Sequence, residues 1–105
     1  MQWLLVIKPS RPDLLSSGPT KEEAEAVGRH FEYWQGLIRN GQALVVGRTQ
    51  TTDPDTIGLA IFMADSEAEA QLIAAEDPAV HAGVFAMKLH PYQVALLGDP
   101  EPFRP

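Results

Sequence analysis

The chain has 105 residues, 45% of them hydrophobic and 21% charged, with a formal net charge of −6 and no cysteine. That size suits one domain, the composition is that of an ordinary globular chain, and no apolar run approaches the ~20 residues that cross a bilayer. Scattered basic residues on an acidic chain disfavour nucleic acid and anionic membrane surfaces, and the missing thiols exclude disulfides, thiolate catalysis and cysteine-ligated metal.

A local pocket bordered by Arg29, Arg39 or Arg48 is still able to accept a small anion. The opening residues Met1 to Lys8 show no basic leader and no small-residue cleavage site, so a cytoplasmic location is the expectation.

Trp3 to Ile7 is a continuous apolar run bounded by Lys8-Pro9-Ser10, and it predicts a central strand buried on both faces. Pro9 to Pro19 carries three prolines, a glycine and several serines. It reads as a loop longer than the usual ~4 to 6 residues, suited to covering a pocket. Thr20-Lys21-Glu22-Glu23 has the form of a capping box that opens a helix. Ala24, Val27, Phe31, Trp34 and Ile38 then recur at helical steps as one apolar stripe, and Asn40-Gly41 stops the helix.

Ala43 to Gly47 and Ile57 to Phe62 read as a hairpin joined by a turn over Gln50 to Asp55. Ser66-Glu67-Ala68-Glu69 is a second capping box, and its alanine-rich helix runs until Asp77-Pro78 ends it. Val84 to Leu97 predicts a strand with a bend at Pro91. The proline-rich residues 99–105 form an irregular tail outside a single domain over residues 1–98.

The element order strand, helix, strand, strand, helix, strand predicts an α+β fold. It is the ferredoxin-like βαββαβ sandwich, a four-stranded antiparallel sheet with two helices on one face. Its other face, if apolar, is best covered by a second copy, which predicts a homodimer through the open sheet face.

Three stretches carry a family resemblance. They are Arg29 to Trp34 followed by Asn40 to Gly47, the capped helix from Asp65, and Glu76-Asp77-Pro78-Ala79-Val80-His81-Ala82-Gly83-Val84. Together they resemble the YciI-like, or YCII-related, family of small dimeric α/β barrel proteins, over Met1 to about Gly98. The resemblance implies a fold similar to muconolactone isomerases and antibiotic-biosynthesis monooxygenases, and a histidine and aspartate pair in a pocket of each subunit. By motif that pair is His30 and Asp77. One relative is a dehydrochlorinase acting on a chlorinated hydroxyquinol, so the resemblance implies fold more narrowly than reaction.

A helical wheel at ~100° per residue sets His30 beside Trp34 and Leu37 on the flank of the stripe. An imidazole held by a carboxylate gains basicity and a fixed tautomer, so Asp77 would make His30 a general base or acid. The plainer role for Asp77 is a helix-ending turn, and both roles are compatible. His81 and His90 read as turn and edge residues, and the spacing of the three histidines marks no metal site.

Tyr33, Trp34, Phe62 and Arg48 are candidate substrate-binding residues. The aromatics would border the pocket and Arg48 would pair with a carboxylate or phenolate, against the ordinary roles of core packing and an exposed strand end. Two functions follow. One is acid/base chemistry of the isomerase, lyase or dehydrochlorinase kind on a small cyclic or aromatic molecule, with no cofactor demanded. The other is a non-catalytic ligand-binding or accessory dimer. Monooxygenase activity by analogy of fold ranks behind both.

Overall fold

Trp3, Leu5 and Ile7 are buried and Leu4 and Val6 only half-buried along β1 (Gln2–Pro9) in the computed structural model, which describes residues 1–105. The run that reads as buried on both faces is therefore an alternating strand, covered by helices on one side and left open on the other in the single chain.

β1 is central, as expected. With β2 (Ala43–Arg48), β3 (Gly58–Met63) and β4 (Phe85–Tyr92) it forms a four-stranded sheet of order β2-β3-β1-β4, and every neighbouring pair is antiparallel. This is the ferredoxin-like α+β arrangement.

The sheet carries four helices where the sequence predicts two. Between the long helices α2 (Lys21–Arg39) and α3 (Glu67–Ala75) and their strands lie two short ones, α1 (Leu14–Ser17) and α4 (Pro78–His81). α1 forms inside the proline-rich loop, where its Leu14 is buried. α4 follows from a signal at the joint itself. The Asp77 side chain accepts the Ala79 amide, and Pro78 occupies the first turn, where a missing N–H costs nothing. His81 thus sits in a helical turn, exposed as predicted.

Both capping residues act as expected, each with a side-chain oxygen worth about 1 kcal/mol to its helix. Thr20 and Glu23 form a reciprocal box. Ser66 accepts from the Glu69 amide, but the Glu69 carboxylate takes the amide of Asp65 instead of that of Ser66, so the second predicted box forms only in its Ser66 half.

Rows of paired residues share one face of the sheet. Arg48, Gly58, Ile7 and Met87 form one row, and Val46, Ala60, Leu5 and Leu89 the next. Trp3 and Phe62 continue the helix-covered face. Trp34 stands edge-on to Phe62 with ring centroids 5.6 Å apart, and Ala70 and Ala74, both fully buried, let α3 lie close on the sheet. Burying side chains such as Leu5 and Phe62 contributes about 2 to 3 kcal/mol each.

β4 keeps its register without a shift from Phe85 opposite Pro9 to Tyr92 opposite Gln2, passing through Pro91. It is an edge strand, where proline's missing donor can face solvent. The strand ends at Tyr92, short of the predicted Leu97, and the Val94 amide is held instead by the Gln2 side chain at 2.6 Å.

Candidate functional site

Asp77 is fully buried, and its carboxylate accepts three hydrogen bonds. Oδ2 accepts Nδ1–H of His30 at 2.6 Å and Nε1–H of Trp34 at 2.7 Å, while Oδ1 accepts the Ala79 amide at 2.9 Å. Burial alone would raise the Asp77 pKa. The hydrogen bonds from His30 and Trp34, the attraction of the His30 ring and the Ala79 amide outweigh it and hold the carboxyl below its usual range. An ionised carboxylate only accepts, so Nδ1 of His30 carries the proton.

The local sequence explains the meeting. α2 turns Ala26, His30, Tyr33, Trp34 and Leu37 inward, a face centred close to His30 and rotated roughly a quarter turn from the predicted stripe. Asp77 is the N-cap of α4, so one carboxylate oxygen is pinned by the Ala79 amide while the second faces α2. Gly83, at φ +77, then turns the chain from α4 into β4 in a conformation that other residues adopt at a cost.

The apolar stripe read from α2 does have a role. Ala24, Val27, Phe31 and Trp34 form the ceiling of a cavity of about 660 Å³ over the helix-covered face of the sheet. Its floor is low because β3 carries Gly58 and Ala60 there. A Cβ at Gly58 would stand 2.9 Å from Cγ1 of Ile7, so the floor accepts no larger residue without a shift. Leu14, Leu15 and Pro19 close one side, confirming that the β1–α2 loop covers a pocket.

That loop is tied down. Arg11 donates to both carboxylate oxygens of Glu23, at 2.7 and 3.1 Å, and to the Gly18 carbonyl at 2.8 Å. The Arg11 hydrogen bonds and the Thr20 amide bring Glu23 down to about 2.

His30 lines this cavity, with its side chain 15% exposed and its ring edge-on to Phe85 at 5.2 Å. Nε2 has no partner in the protein and is not sealed from solvent. The site therefore presents one free imidazole nitrogen to an apolar cavity, backed by an ionised carboxylate. No three His, Asp or Glu side chains cluster as a metal-ligand set, and no helix is long and apolar enough to cross a membrane.

Of the residues named from sequence, His30, Trp34 and Arg48 line the cavity, and Asp77 lies behind His30. Tyr33 and Phe62 do not line it. The Tyr33 hydroxyl donates to the Ile73 carbonyl at 2.7 Å, joining α2 to α3, and burial together with the charges of Glu76 and Asp77 pushes its pKa up to about 12. Phe62 is core, beneath Trp34. Two features escaped the sequence reading. Trp34 serves as a hydrogen-bond donor to Asp77, for which the signal was that a buried indole N–H needs an acceptor. Thr56 is a buried cavity residue whose hydroxyl meets Thr51 at 2.6 Å, and no local pattern marks it.

Comparison with known proteins gives this geometry a family. A model of the YCII-related domain matches residues 1–89. The chain belongs to the YCII-related family. Among solved structures, this YCII-related chain is similar to the 5-chloro-2-hydroxyhydroquinone dehydrochlorinase TftG from Burkholderia phenoliruptrix, in complex with 2,5-dihydroxybenzoquinone. The two share 25% identity with a TM-score of 0.66, over 89% of this chain and 94% of the dehydrochlorinase. No curated protein matches the chain.

Proposed function

We propose that the chain is an acid/base enzyme in which His30, oriented by Asp77, moves a proton on a small cyclic or aromatic molecule held in the cavity. The single observation that carries this is the 2.6 Å contact between Nδ1 of His30 and Asp77, which leaves Nε2 free on a cavity wall. Imidazole is the side chain whose ordinary titration range overlaps neutral pH, and a fixed carboxylate stabilises the imidazolium formed when it accepts a proton.

In an elimination, Nε2 takes a proton from the substrate, the freed electron pair moves into the ring system, and a group such as chloride leaves with its bonding pair. The reverse proton delivery from Nε2 to a different ring atom gives an isomerisation. The likeness to a dehydrochlorinase of ring compounds supports this class. Trp34 and Arg48 are the proposed substrate contacts, with Phe31 and Phe85 added from the cavity wall.

The working unit is a homodimer. Val45 and Met63, 45% and 53% exposed, and the half-buried Leu4, Val6, Leu59 and Ile61 give the open sheet face an apolar surface that a second copy would cover.

The test is turnover of a panel of chlorinated and hydroxylated quinols and quinones, followed by chromatography and chloride release. His30→Ala and Asp77→Asn should stay folded and lose turnover by at least ~100-fold, the usual size of a general acid/base contribution. Full activity in both variants would sink the reading. Tight binding of a panel member with no product under any condition would favour the non-catalytic alternative.

A further inference from the structure

We propose that the cavity selects a planar ring-bearing anion, a carboxylate or a phenolate, and that Arg48 is its charge partner. The inference rests on the proposed function only in taking this cavity as the working site.

Arg48 stands in the same cross-sheet row as Gly58 and Ile7, on the helix-covered face and at the β2 edge, so its side chain belongs to the cavity rim. The chain has fourteen acidic and eight Lys or Arg residues, yet Arg48 takes part in none of its three ion pairs. No carboxylate lines the cavity. Asp53 and Asp55 of the neighbouring loop are exposed outside it, and Asp77 is held behind His30 by its three donors. An acidic protein thus presents an apolar cavity whose one permanent charge is a free guanidinium, the group best shaped to hold a planar carboxylate by two parallel hydrogen bonds.

The walls specify the rest of the ligand. Phe31, Trp34 and Phe85 offer aromatic surface above a floor flattened by Gly58 and Ala60. A volume of about 660 Å³ is several times the ~150 Å³ that accommodates a bare benzene ring, so the ligand is a substituted ring or two fused rings.

The test is an isotope-edited NMR titration of the full chain with 2-naphthoate and with its neutral isostere 2-naphthamide at pH 8. Naphthoate should shift the signals of Phe31, Thr56 and Arg48 and bind about tenfold more tightly than the amide, the difference expected of one charge-assisted contact. Arg48→Gln should erase that difference and Arg48→Lys should retain part of it.

Equal affinity for acid and amide, a preference that survives Arg48→Gln, or naphthoate shifts confined to other parts of the surface would each overturn the proposal. Because the readout is binding, an intact charge preference in a protein with no turnover removes the proton-transfer reading and leaves the ligand class standing. Turnover of ring compounds without charge preference does the reverse.

Discussion

His30 and Trp34, one helical turn apart on α2, donate to the same oxygen of Asp77, at 2.6 and 2.7 Å. One donor is the proposed reacting imidazole and the other is a buried core side chain, so the carboxylate is positioned by the core as well as by its own helix. An i, i+4 pair on one face makes this possible, because both side chains lean toward the same point.

Trp34→Phe isolates that arrangement. It keeps an aromatic ring over Phe62 but removes one donor from a buried charge, which should cost about 2 kcal/mol in denaturant unfolding. The Asp77 carboxyl should titrate at a higher pH in the variant, since a bond that favours its charged form is gone. Carboxyl carbon shifts during an acid titration measure this, and an unchanged Asp77 titration would mean that the indole contact is incidental.

The lowered Asp77 pKa fixes a sign for acid stability. A carboxyl lowered in the folded state binds fewer protons there than when unfolded, so stability falls as pH falls through that range. The Asp77 contribution is fully present above its unfolded value of about 3.8 and disappears as pH drops through the folded value. Asp77→Asn should be less stable at neutral pH by about 3 kcal/mol, because one amide arm now faces donors, and should lack this acid step. Glu23 also titrates low, so the comparison should be repeated in Glu23→Gln to separate the two steps.

The Arg11 and Glu23 pair should act on the cavity cover and not on the sheet. Arg11→Ala releases both the carboxylate of Glu23 and the Gly18 carbonyl. Amides of the α1 segment, such as Leu14 and Ser17, should then exchange faster with solvent, while β1 amides stay protected. Ligand should dissociate faster with little change in the rate of entry. Equal exchange in α1 with and without Arg11 would show that the loop is held by its apolar contacts alone.

The order of elements along the chain and the two long helices were legible because their signals are local, with short apolar runs, N-cap residues and the Asn40-Gly41 stop each lying within a few residues, whereas the alternating burial of β1 was hidden by its unbroken apolar run. The face of α2 was not legible either. Ala24, Val27, Phe31 and Trp34 make the stronger apolar stripe, and they border a cavity, whereas the buried face contains His30 and Tyr33 and so looks polar in sequence. His30 is satisfied on that face by Asp77, 47 residues away, and no periodicity reports a partner at that distance. The family resemblance named both members of the pair. Their contact, and the share Trp34 has in it, are tertiary facts.

The open face of the sheet supplies the last prediction. Val45, Ile61, Leu59, Leu4 and Val6 lie toward the side opposite the helices, bounded by polar groups such as Lys8 and Lys88 on the same sheet. An apolar centre with a charged margin has the anatomy of an interface, and a chain of this size has few other ways to remove that surface from water. Sedimentation should give a dimer. Ile61→Lys puts a charge into the centre of the face, where burial without a partner is costly, and should yield monomers without disturbing the helix-covered core. If wild type sediments as a monomer at all concentrations, the apolar face serves a different purpose and the cavity works within a single chain.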